Sequence, residues 1–238
     1  MALVQWAIEK GVKNLHVAYS NTGWAADFWG DRVAAFRNFI EMNGGTYHEV
    51  ASEGMVNLVT RKKAWPRNGM AFCSYELKIK PAMGWLETID PESEATCLVG
   101  VRREESANRA QWPEWIEESV NHGGRSLHSP LVRFTEDQRN ELIERAGFEV
   151  LKHRSMECYP CINANKSDIA MLDPARIDYI ETVEIGLGHG VNSGKKKTMF
   201  RPAKKRGAVG IREVHAWAKT SNFVAGQSDI FCDSGFCG

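Results

Sequence analysis

Four of the six cysteines in this 238-residue chain form two close pairs: Cys158-x-x-Cys161 within "CYPCINANKS", and Cys232 with Cys237 in the closing "IFCDSGFCG". A two-residue gap lets both thiolates of the first pair grip one metal ion or the irons of one cluster. The same gap also serves redox dithiols. The "DSGF" between the second pair is turn-forming and can bring its sulfurs together. Two such pairs predict a tetrathiolate site for an iron–sulfur cluster or for zinc, which spacing alone does not separate. Cys97, inside the apolar "TCLVGV", reads as a small buried residue. Cys73 precedes "SYELKIKP", a stretch with two lysines and a proline and no strong core pattern. The histidines at 16, 48, 122, 128, 153, 189 and 215 are scattered, form no evident ligand pair and read as surface or structural. Neither G-x-S-x-G nor a phosphate-loop lysine motif is present, which removes the basis for serine-hydrolase and P-loop readings.

The elements that must position these residues alternate between helix and strand. "ALVQWAIEKG" has helical spacing and stops at Gly11. "NLHVAYS" suits a buried strand, "WGDRVAAFRNFIEMNGG" an amphipathic helix, and "TYHEVA" a second strand. "ATCLVGVRR" reads as another buried strand that runs into a charged loop. "TEDQRNELIERAG" is a helix with Thr135 as N-cap and Gly147 as stop. "SDIAMLDPARIDYIETVEIGLG" is a further helix interrupted near Pro174, and the last forty residues, rich in glycine and base, read as an appended segment. This alternation predicts an α/β fold with a doubly wound, mostly parallel sheet and a cysteine-containing C-terminal segment. The expected division is residues 1–170 as a nucleotide-binding domain and 171–238 as a helical, basic segment ending in the cysteine pair.

Loops at the carboxyl ends of parallel strands are where such folds bind ligands. "SNTGWAAD", from Ser20 to Asp27, supplies a hydroxyl, the flexible Gly23 and the start of the next helix, a favourable place for an anion or simply an ordinary turn. "RREESANR" gathers Arg102, Arg103 and Arg109 around Glu105 and Ser106. Three guanidiniums there suit phosphate or sulfate through paired hydrogen bonds, unless local ion pairs use them up.

Composition narrows the function classes. Thirty basic and thirty acidic residues give zero formal net charge, which argues against a global pull toward nucleic acid or an anionic membrane. No apolar run approaches the roughly 20 residues that cross a bilayer, and "MALVQWAIEKGVKN" lacks the pattern of a secretory signal. A cytoplasmic location without membrane contact is therefore expected, where paired cysteines serve as ligands or redox groups rather than structural disulfides. One stretch departs from the balance: Lys195 to Arg206, "KKKTMFRPAKKR", holds seven basic residues and no acid, as either a solvated surface or a contact for polynucleotide phosphates.

Five segments in order resemble the phosphoadenosine phosphosulfate reductase family, within the wider adenine-nucleotide α-hydrolase-like superfamily. "AYSNTGWAAD" is similar to the family's nucleotide loop at Ser20, Ala25 and Asp27, without the S-G-G-x-D-S of ATP-cleaving relatives. "CSYELKIKP" is similar to C-C-x-x-x-K-x-x-P, keeping Cys73, Lys78 and Pro81, with Ser74 in place of the second cysteine. "VGVRREESANR" resembles G-I-R-x-x-x-S-x-x-R through Gly100, Arg102, Ser106 and Arg109. "SPLVRFTEDQRNELIERAG" looks like P-L-x-x-W-x-x-x-D-V with Phe134 for tryptophan, and Cys158-x-x-Cys161 completes the series.

The resemblance implies an oxidoreductase that binds adenylyl sulfate or its 3′-phosphorylated form. In such enzymes a C-terminal thiol attacks the sulfur, and a thioredoxin-like reductant then frees sulfite. It implies substrate contacts from Ser20, Asp27, Lys78, Arg102, Ser106 and Arg109, to which the anion reading of the arginine loop adds Arg103. It also implies a 4Fe–4S cluster on Cys73, Cys158 and Cys161, with Cys232 as the expected fourth ligand and Cys237 as the nucleophile. In an equally simple arrangement all four paired cysteines hold the cluster, and zinc is the alternative occupant. The glutamate and terminal histidine of the family's E-C-G-L-H ending are absent here. Rival expectations are an ATP-dependent sulfurtransferase acting on nucleic acid, and a non-catalytic nucleotide-binding iron–sulfur protein.

Overall fold

The computed structural model describes residues 1–67, 69–153, 155–190, 194–200 and 209–220. Cys232, Cys237 and the basic residues 201–206 lie outside them. The described chain mixes helices with small sheets. Helix α1 (Ala2–Glu9) leads to strand β1 (His16–Asn21), helix α2 (Trp29–Met42) and strand β2 (Thr46–Ala51). β1 and β2 pair in parallel from His16–Thr46 to Asn21–Ala51. This is the strand–helix–strand unit expected from "NLHVAYS" and "TYHEVA".

"ATCLVGVRR" contributes less strand than expected. Only Cys97–Leu98 (β3) pairs, parallel to Leu127–His128 (β5), which also pairs antiparallel with Trp115–Ile116 (β4). The backbone then leaves the ladder, with Arg103 N–H donating to the Val132 carbonyl at 2.9 Å.

Three helical stretches lack a counterpart in the pattern reading. α3 (Met55–Lys62) buries Met55, Leu58 and Val59 on one face, at helical spacing. A short α4 (Phe72–Ser74) continues through a π-helical turn (Tyr75–Ile79) into α5 (Lys80–Ile89), which accepts Pro81 because a first-turn N–H has no intrahelical partner. α9 (Ile211–Lys219) buries Ile211, Val214 and Ala218.

The expected α6 (Glu136–Arg145) is closed by a Thr135–Gln138 capping box. The interrupted helix is two: α7 (Lys166–Ala170) and α8 (Pro174–Leu187), with the Asp173 carboxylate accepting from Arg176 N–H at the α8 start.

A main core joins Trp24, Met55, Leu58, Leu77, Tyr159, Ile180 and Ile211, so described residues on both sides of position 170 share it. A smaller one packs α1 against α6 through Ala2, Leu131, Leu142 and Ile143. Glu184 of α8 ties the C-terminal part inward by accepting from Met199 N–H at 2.8 Å and Ile211 N–H at 3.0 Å. No described helix is long and apolar enough to cross a membrane.

Candidate functional site

The loop after β1 is held from two sides. On one, Met55 N–H at the start of α3 donates to the Thr22 carbonyl at 2.9 Å. Gly23, at φ +60°, lies where a Cβ would stand 3.3 Å from Gly54 Cα, so both its backbone angle and the close approach favour glycine. On the other side the loop meets the Cys-x-x-Cys segment edge to edge. Ala26 N–H donates to the Met156 carbonyl and Tyr159 N–H to the Trp24 carbonyl, both at 2.9 Å.

Glu157 fastens this seam. It is buried, and its Oε1 accepts from Thr22 N–H at 3.1 Å and from Thr22 Oγ1 at 3.0 Å. Tyr19 O–H donates to its other oxygen. Arg176 of α8 closes the seam from outside. It donates to the Trp24 carbonyl at 2.8 Å and to the Tyr159 carbonyl, with its guanidinium 4.0 Å from the Trp24 ring centre and between Tyr159 and Tyr179. Thr22, Glu157 and Arg176 were not among the predicted site residues. Their partners stand more than a hundred residues away, and no local spacing marks them.

The seam brings Cys158 and Cys161 to the helical turn carrying Cys73 and Lys78. Ser20 Oγ donates to the Lys78 carbonyl at 3.5 Å, joining the end of β1 to the π-helical turn. Burial pushes the Cys73 thiol up to about 12, with the charges of Cys158 and Cys161 adding and Lys78 opposing. Burial likewise pushes the Cys158 thiol up, again against Lys78. Buried, protonated thiols are poor nucleophiles. A small pocket lined by His153, Met156, Cys158, Cys161, Asp168 and Met171 opens beside them.

Among the described residues no group of three His, Cys, Asp or Glu side chains is disposed to hold a single metal ion. A single zinc needs its ligands around one point.

The second predicted loop is built differently. Arg102 and Arg109 are both buried, and both reach Glu105: Arg109 directly, and Arg102 with its Nε 3.5 Å from Oε1. Arg102 also lies 3.4 Å from Glu104, and Arg103 donates to the Trp112 carbonyl at 2.9 Å. Local acids thus answer the guanidiniums expected to face an anion. Ser106 Oγ is buried without a hydrogen-bond partner. Asp27 is exposed at the far end of the first loop, within the electrostatic reach of Arg176. Lys195 and Lys196, the start of the basic run, are exposed.

Cys97 lies on β3, apart from the other thiols in sequence and element, and burial pushes it up as well. Two histidines read as scattered do meet: His16 Nδ1 and His48 Nε2 are 2.9 Å apart on adjacent strands.

No family model matches the chain. Over 122 residues, 48% of its length, it is 30% identical to a protein of Escherichia phage 186 described as an uncharacterised 37.8 kDa protein in the gpa 5′ region. The match spans 36% of that phage protein, so the chain accounts for about a third of its relative's length.

Proposed function

We propose that the chain is a sulfonucleotide reductase-like enzyme of the phosphoadenosine phosphosulfate reductase family, built on a doubly wound α/β domain. The observation that carries this reading is the meeting of the Ser20 loop, Lys78 and three cysteines through contacts that span the chain. The parallel β1–β2 pair, with its loop facing the thiols, supports the fold reading, because ligands collect at the carboxyl ends of such strands.

In this reading Cys73, Cys158 and Cys161 are cluster ligands, and a 4Fe–4S group held by them would lie near Lys78. Lys78 faces the leaving nucleotide's phosphate, and the Ser20–Asp27 loop binds the nucleotide. The Cys237 thiolate attacks the sulfur of adenylyl sulfate or of its 3′-phosphorylated form. A sulfur–sulfur bond forms as the bond from sulfur to the phosphate oxygen breaks, and the adenine nucleotide leaves with that electron pair. A dithiol of the thioredoxin class then attacks the Cys237 sulfur. Sulfite is released and the dithiol ends as a disulfide.

The pairing of Arg102 and Arg109 with Glu105 favours a second reading, a nucleotide-binding iron–sulfur protein without turnover, because it leaves less free cation for a substrate anion. Mass spectrometry of anaerobically prepared protein incubated with each adenylyl sulfate separates the two. A sulfonate adduct on Cys237 or Cys232 supports the reductase. An intact cluster with bound nucleotide and no adduct on any cysteine overturns it in favour of the second reading.

A further inference from the structure

His16 opens β1, and His48 stands on the same face of the neighbouring β2, since Ala18, two residues after His16, lies opposite His48. The two rings meet with His16 Nδ1 2.9 Å from His48 Nε2. On its other side His16 Nε2 lies 3.1 Å from Asn14 Oδ1, an oxygen that can only accept, so this nitrogen carries a hydrogen. Trp85 of α5 covers His48, with ring centres 4.7 Å apart. Charged groups on the surrounding elements are engaged elsewhere. Glu49 of β2 accepts from Asn21, Arg37 of α2 lies over Tyr47, and the π-helical turn that carries Lys78 meets Ser20 at the other end of β1. Burial, then the charge of His16, holds the His48 pKa below the usual histidine range.

A hydrogen bond between these nitrogens needs one to donate and the other to accept. Two neutral rings meet that condition. One added proton leaves it intact, because one of the facing nitrogens still accepts whichever ring takes the charge. A second proton makes both nitrogens donors that point at each other and sets two cations side by side. We propose that His16 and His48 form a proton-operated clasp between the amino ends of β1 and β2, closed with at most one added proton on the pair and opened by the second. The clasp fastens the strand pair that carries the Ser20 loop at its opposite end, and it does not depend on what that loop binds.

The full chain tests this by nuclear magnetic resonance from about pH 8 down to about pH 4, a range that brackets ordinary histidine titration. The two imidazoles should titrate as a coupled pair, in steps about one pH unit or more apart, with the second step below the ordinary value of about 6.5. The unfolded chain takes up both protons near that ordinary value, so stability of the strand pair is lost as pH falls below it, until the second step is complete. Amide-exchange protection in β1 and β2, corrected for the intrinsic pH dependence, should fall roughly tenfold across the second step, because one pH unit of separation is a tenfold change in the opening equilibrium. His16→Gln and His48→Gln each leave one histidine of the pair, which should titrate in a single step with no matching loss of protection. Independent titration of the two imidazoles in wild-type protein overturns the proposal without recourse to a variant. A coupled titration that leaves protection unchanged overturns it as well. So does an equal loss of protection in either variant, which assigns the opening to other groups.

Discussion

In the loop from Arg102 to Arg109, carboxylates two to four residues away answer two guanidiniums. Around Cys158 the partners come from afar: Ser20 meets Lys78 across 58 residues, Thr22 meets Glu157 across 135, and Trp24 meets Arg176 across 152. Both regions looked like binding loops in sequence. In the first, Glu104 and Glu105 pair with Arg102 and Arg109. The second brings thiols and a lysine together near the end of a strand. Proximity in sequence made the arginines look like a site, and the same proximity supplied the acids that occupy them.

The largest effect that would break this contrast falls on the seam. Replacing Glu157 with Ala strands Thr22 N–H and Tyr19 O–H inside the protein, and should destabilise the fold by about 3–5 kcal/mol in denaturant unfolding. Glu157→Gln should cost less, since one oxygen can still accept. A change below about 1 kcal/mol for the alanine variant would mean the seam does not depend on this carboxylate.

Next comes Arg176→Ala, which removes two hydrogen bonds to backbone carbonyls and the stack on Trp24. Destabilisation of about 2–4 kcal/mol is expected. Arg176→Lys should recover only part of it, because an ammonium lacks the planar fork. Equal stability of the lysine variant and wild type would contradict the geometry.

A third change sharpens the comparison from the other side. Glu105→Gln should release Arg102 and Arg109 and raise the affinity for adenylyl sulfate roughly 5- to 10-fold in calorimetric titration, the effect of about 1 kcal/mol of unmasked charge. Unchanged affinity would place the arginine loop outside the nucleotide site.

The smallest effect concerns pH. Burial, then the neighbouring Arg125 charge, lowers the His122 pKa below 6.5, and Ser119 Oγ lies 2.8 Å from its Nδ1. Below pH 6.5 the unfolded chain takes up this proton before the folded one does. Stability should therefore decline as pH falls through 6.5 and level off once pH passes below the folded value. His122→Asn should flatten that part of the stability curve. An unaltered slope would assign the dependence to other groups.

Local signals in the sequence were legible where local chemistry decides the outcome. Thr135 announces α6 as its N-cap, and "TYHEVA" coincides with β2 because its backbone bonds are to a strand of similar pattern. "ATCLVGVRR" promised more strand than β3 delivers, since its apolar run does not reveal where the ladder ends. α9 was hidden by the glycine and basic residues around it, although Ile211, Val214 and Ala218 follow helical spacing. Cys73, Cys158 and Cys161 were singled out by motif. The residues that hold them in place, Thr22, Glu157 and Arg176, were not, because a contact across more than a hundred residues leaves no spacing to read.

The most direct test of the account is the iron and acid-labile sulfide content of anaerobically reconstituted single-cysteine variants. Cys73→Ala, Cys158→Ala and Cys161→Ala should each lose most of the cluster, while Cys97→Ala should retain it. Equal cluster content in all four variants, or loss only in Cys97→Ala, would contradict the grouping of these three thiols as one site.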